Sequence, residues 1–99
     1  MSFFLRGISI SNGVEVVTTS GTIVPLSVSS VPTFKVDIQA LLANSGTVTI
    51  GGTSVLSAST NGIVLNPGNV YTITDVNDLN KIWVDASANG NGVSYVYYY

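Results

Sequence analysis

The 99-residue sequence contains neither histidine nor cysteine. A general base working near neutral pH is usually a histidine or a carboxylate with a shifted pKa. Any acid–base chemistry would therefore fall to Glu15, Asp37, Asp75, Asp78 and Asp85. Asp75 and Asp78 are the closest pair in the sequence. A calcium loop needs dense, alternating oxygen ligands and a closing glutamate, and this segment offers neither. Asp75 reads instead as the cap of a short helical turn, with Asp78 in a solvated loop. Serines are plentiful, but none has a credible base beside it in the sequence, and Ser29, Ser30, Ser57 and Ser59 read as turn residues. Gly51–Gly52 is not a phosphate loop, because no strand-to-helix step and no lysine follow it. Without cysteine there are no disulfides and no thiolate metal sites. The expectation is no enzymatic activity, no metal and no cofactor.

Aromatic side chains are the other candidates for function. Tyr71, Trp83, Tyr95, Tyr97, Tyr98 and Tyr99 could stack on sugars, anchor a protein interface or pair across strands in an ordinary core. Successive strand residues point to opposite faces, so Tyr97–Tyr99 cannot all be buried in one small sheet. At least one ring should be exposed or held by a partner. Charge narrows the partners. Only 8% of residues are charged and the net charge is −2, against about 25% charged in an ordinary domain. Arg6, Lys35 and Lys81 are scattered along the chain. A nucleic-acid surface needs clustered positive charge, so DNA and RNA are excluded as partners. Hydrophobic content is an ordinary 45%; Ser, Thr, Asn and Gly stand in for the missing charge. Such a surface suits harsh external conditions or burial against neighbouring subunits, since charge is depleted at interface cores.

The elements that must position these residues are strands. Val, Ile and Thr dominate and favour the pleated sheet, while ten glycines and Asn/Ser clusters interrupt the chain. Met1 to Ser11 reads as an arm, with Phe3, Phe4, Leu5 and Ile8 needing cover, and Ser11–Asn12–Gly13 as a turn. Val14–Thr19 reads as a strand with Val14 and Val16 on one face and Glu15 and Val17 on the other. Ser20–Gly21 reads as a tight reversal, and Pro25 marks an edge or a bulge. Thr33–Leu42 alternates most cleanly, Phe34, Val36, Ile38, Ala40 and Leu42 against Lys35, Asp37 and Gln39, and reads as a strand, with a short helix over Ile38–Ala43 as the alternative. Gly51–Gly52 predicts a two-residue hairpin joining Thr47–Ile50 to Thr53–Leu56. Short strands follow at Ile63–Leu65 and Asn69–Thr74 around an Asn66–Pro67–Gly68 turn. Asp75–Asn80 reads as one helical turn or a wide loop, with Leu79 plugging the core. Lys81–Ala86 and Val93–Tyr99 complete the set.

About eight short strands at regular spacing predict an all-β fold: an antiparallel β-sandwich, jelly-roll-like, or a small barrel. Residues 1–12 form an N-terminal arm or edge strand and residues 13–99 the sandwich domain. No run approaches the roughly 18 apolar residues of a spanning helix, and the start has no signal-peptide pattern, so no membrane partner is expected. A chain of this length is marginal as a monomer, because burial and ordering entropy nearly cancel. The last two strands are apolar on both faces, which an oligomer would explain.

The stretches Asn44–Gly52, Asn61–Gly68 and Leu79–Ser87 together cover about half the chain, and they resemble small β-rich virion proteins of tailed bacteriophages. The resemblance implies a noncatalytic, frequently trimeric sandwich, either a capsid decoration (cement) subunit or part of a tail or fibre. The resulting expectation is a virion protein that binds the major capsid protein and stabilises the head as a homo-oligomer. Its interface is expected at Phe3, Phe4, Leu5, Ile8, Trp83, Val96, Tyr97 and Tyr98. The alternative is a tail or fibre module that recognises host carbohydrate through tyrosine or tryptophan faces.

Overall fold

A computed structural model describes residues 8–55, 57 and 60–99. Within them lie eight strands: β1 (Ile10–Val16), β2 (Val24–Pro25), β3 (Lys35–Ala40), β4 (Val48–Gly51), β5 (Ile63–Leu65), β6 (Val70–Thr74), β7 (Trp83–Ala86) and β8 (Gly92–Tyr98). First pairs with last, second with seventh, third with sixth and fourth with fifth, all antiparallel. The chain is thus one long hairpin rolled up on itself. Lateral pairs β3–β8 and β4–β7 join it into two four-stranded sheets. Sheet I has the order β1-β8-β3-β6 and sheet II the order β2-β7-β4-β5. This is the jelly roll, an antiparallel sandwich of two sheets.

Period-two alternation places the core. In β3, Val36, Ile38 and Ala40 are fully buried while Lys35, Asp37 and Gln39 face outward. They pack with Val93 of β8 and with Val48, Ile50, Leu65, Val84 and Ala86 of sheet II in one cluster. Leu79 opens a single 3-10 turn, Leu79–Lys81, and its side chain joins that cluster; burial of this kind contributes about 2 kcal/mol. Pro25 sits in a two-residue strand at the edge of sheet II, where its missing N–H costs little. In the Asn66–Pro67–Gly68 turn, Asn69 N donates to Asn66 O at 2.9 Å and Gly68 takes φ +85°, the conformation that calls for glycine.

Several local expectations are corrected. Ser11–Asn12–Gly13 is not a turn: these residues lie inside β1, opposite Tyr97, Val96 and Tyr95. Gly13 is there for space, since a Cβ would stand 2.5 Å from the Tyr95 hydroxyl. That hydroxyl crosses the sandwich to donate to Leu26 O at 3.0 Å. The Gly51–Gly52 hairpin is absent. β4 pairs with Ile63–Leu65 instead, and positive φ among the described glycines belongs to Gly21, Gly62, Gly68 and Gly90. The alternation of Thr33–Leu42 runs past the strand: Phe34 and Leu42 lie beyond its ends at Lys35 and Ala40, and both are exposed. Asp75 does not cap the helical turn. Asp78 does, accepting from Asn80 N at 3.0 Å.

Candidate functional site

The outer faces of the two sheets differ, and the difference begins with one carboxylate. On the outer side of sheet II, Thr49 and Asp85 stand opposite each other and are 0% and 1% exposed. Asp85 accepts from the backbone N–H groups of Ser57 (2.7 Å), Ala86 (2.8 Å) and Gly21 (2.9 Å). The hydroxyls of Thr49 and Ser57 meet at 3.2 Å. Asp85 therefore clamps the Ser20–Gly21 turn and Ser57 over its own sheet. Burial is the largest influence on its carboxyl and acts upward, but the three N–H donors together hold it below the usual aspartate range.

Sheet I has no such cover among the described residues. Its register lays out three rows across four strands: Ile10–Tyr98–Lys35–Thr74, Asn12–Val96–Asp37–Thr72 and Val14–Ser94–Gln39–Val70. Ile10, Val14 and Val70 are 61%, 60% and 58% exposed, and Val16 is exposed as well. A shallow groove of about 340 Å³ runs between the second and third rows, lined by Asn12, Val14, Asp37, Gln39, Val70, Ser94 and Val96. The only charges in the rows are Lys35 and Asp37, which cancel. Both Asp37 oxygens are engaged: Thr72 Oγ1 donates to one and Tyr98 Oη to the other at 2.8 Å. Those two bonds, Thr72 first, hold Asp37 below the usual range, and the Lys35 ammonium, 5.0 Å from the centre of the Tyr98 ring, adds to the effect.

β1 closes one edge of sheet I, and among the described residues its far side has no strand partner. A seven-residue edge rich in Ile and Val, without proline or lysine, is a template for pairing with another chain. The exposed face and the open edge are continuous.

Asp78 is occupied in the same way. Asp78 accepts from the Ser30 hydroxyl, from Val31 N at 2.9 Å and from Asn80 N at 3.0 Å, and these bonds, Ser30 first, lower its pKa. Partial burial raises Glu15. Among the described residues no three His, Cys, Asp or Glu side chains are grouped to hold a metal ion. What sheet I presents is a face without net charge, with exposed Ile10, Val14, Val16 and Val70 around a centre of hydroxyl and amide groups.

The residues singled out from sequence are dispersed. Phe3, Phe4 and Leu5 lie outside the described residues. Ile8 is exposed beside Ser9, whose backbone pairs reciprocally with that of Tyr99 at 2.8 and 2.9 Å. Val96 and Tyr98 share the outer face of sheet I. Tyr97 turns inward, packs against the core and lies between the Tyr95 and Tyr99 rings at 6.1 and 5.6 Å. Trp83 is on the opposite side of the molecule, outward on sheet II. Sequence reasoning missed Ile10, Val14, Val16 and Val70 as one surface. The signal was present in the shared parity of Ile8, Ile10, Val14 and Val16, and it was broken by reading Ser11–Gly13 as a turn. Comparison with known proteins found no matching family model and no matching curated protein.

Proposed function

We propose that this chain is a noncatalytic virion structural protein of a tailed phage: a decoration, or cement, subunit that binds the major capsid protein and stabilises the head. One observation carries the reading. The centre of sheet II, around Thr49 and Asp85, is covered by the chain's own Ser20–Gly21 turn and Ser57, whereas sheet I leaves Ile10, Val14, Val16 and Val70 exposed beside a β1 edge that has no strand partner among the described residues. Single exposed apolar side chains are common, but a contiguous set around a groove marks an interaction surface. The jelly roll is itself an architecture of viral coat and lectin domains, and the strand and turn stretches of the sequence resemble phage virion proteins. Mechanism in this reading is mass action. A rigid subunit that binds only the assembled shell stabilises that shell by its binding free energy. A closed homo-oligomer, a trimer by the resemblance, bridges several capsid subunits without polymerising. Ile8, exposed just before β1, belongs to the same contact in this reading.

The test uses purified protein and phage heads assembled without it. The expected result is saturable co-sedimentation and a higher temperature of head disruption. Heads that neither bind the protein nor gain heat resistance overturn the proposal.

A further inference from the structure

A second site lies on the other side of the sandwich. Where β2, the 3-10 turn and the start of β7 meet, the outer surface of sheet II holds a cleft of about 560 Å³ lined by Trp83, Pro25, Thr53, Asn80 and Lys81. Alternation in β7 buries Val84 in the core and turns Trp83 outward. The two neighbours of Trp83 in the sheet are Pro25 on one side and Gly51 on the other. The half-buried indole thus has a proline ring on one side and, on the other, Gly51 with the Val55 side chain lying over it. Polar groups around it are unused. Among the described residues, the Trp83 indole N–H, the Asn80 carboxamide, the Lys81 ammonium and the Thr53 hydroxyl make no hydrogen bond within the protein. Lys81 interacts electrostatically with Asp78, whose oxygens accept hydrogen bonds from Ser30, Val31 N and Asn80 N.

We infer that this cleft binds a glycan, with a pyranose ring on Trp83 and a sugar carboxylate at Lys81. An apolar ring bordered by free donors and acceptors matches a molecule whose C–H face is apolar and whose rim carries hydroxyls. The depression is shallow and open to solvent, a shape that suits stacking on one face of a sugar ring. Lys81 is the one cation in the lining and adds preference for an acidic sugar, which it would hold alongside its longer-range attraction to Asp78. The cleft and the sheet I face lie on opposite sides, so both can be filled at once, and the glycan site does not depend on the docking proposal.

Trp83 is the only tryptophan in the chain, so tryptophan emission reports this cleft alone. The experiment titrates the full chain with a glucuronate-containing tetrasaccharide from hyaluronan and with neutral chitotetraose. A saturable change with the acidic sugar is expected, weakened at least about tenfold in Lys81→Ala and in Asn80→Ala. Both variants should keep the wild-type circular dichroism, because both side chains lie outside the core. No saturable change, or equal affinity in the Lys81→Ala protein, overturns the inference; an equal response to chitotetraose overturns the acidic assignment. Emission that changes with phage heads and not with sugar makes the cleft a protein contact and also overturns it. Heads that bind while Trp83 emission stays constant leave the docking proposal standing whatever the sugar result.

Discussion

Asp85 shows how one side chain decides which face of this molecule is free. Its two oxygens serve three backbone donors from segments far apart in sequence. Replacing it with asparagine removes the charge and exchanges one acceptor oxygen for a donor facing N–H groups. Asp85→Asn should lose about 2 kcal/mol of stability, read as a lower urea midpoint, and should loosen the Ser57 segment in amide exchange. An unchanged midpoint would show that the clamp is dispensable. Gly92 makes a complementary case through space. A Cβ there would stand 2.3 Å from Glu15 O and 2.8 Å from Val16 Cα, both backbone atoms of β1. Gly92→Ala must therefore lift β1 off β8, with an expected loss of about 3 kcal/mol. Retention of wild-type stability would mean that the β1–β8 contact is looser than described.

At the scale of the element, β1 carries the functional claim. It is the long edge strand, its outward side chains are Ile10, Asn12, Val14 and Val16, and its inward side contributes to the fold through Gly13 and Glu15, with buried Val17 just beyond its end. A double variant, Ile10→Lys with Val14→Lys, places two ammonium groups on the exposed face and removes nothing from the core. Stability should change by no more than about 0.5 kcal/mol, while co-sedimentation with heads is lost. Full binding by this variant would remove sheet I from the interface. Sheet II is a control, since Val64→Lys on the outer face of edge strand β5 should bind heads as the wild type does.

For the whole molecule, acid response follows from four carboxyls. Asp37, Asp78 and Asp85 are held below the ordinary aspartate value of 3.8, each stabilising the fold while ionised. That stability is complete above 3.8 and is lost as the pH falls through their lowered values. Glu15 acts in the opposite sense. Burial raises it above its ordinary 4.5, so its ionised form opposes folding and protonation relieves the strain. Thermal melting of the free protein should therefore rise slightly as the pH falls from neutrality toward 4.5, then drop below 3.8. A melting temperature that falls steadily from pH 7 downward would contradict this. Assembly belongs to the same scale: light-scattering mass should correspond to a closed oligomer and decrease when residues 1–8 are removed. A single-chain mass at high concentration for the full protein would argue against self-association.

Strand content, the buried parity of Val36, Ile38 and Ala40, the edge position of Pro25, the Asn66–Gly68 turn and the core role of Leu79 were legible in the sequence. Each depends on a residue and its near neighbours, where backbone preference and period-two alternation act. The sequence also settled composition: no histidine, no cysteine and very little charge. Tertiary structure decided the rest. Gly13 looks like a turn residue until Tyr95, from the far end of the chain, is laid over it, and Gly51–Gly52 looks like a hairpin until β4 is paired with β5. Asp85 looks like a solvated acid until Gly21 and Ser57 close on it. Which outer face stays open depends on contacts between segments tens of residues apart, and local preference carries no information about those.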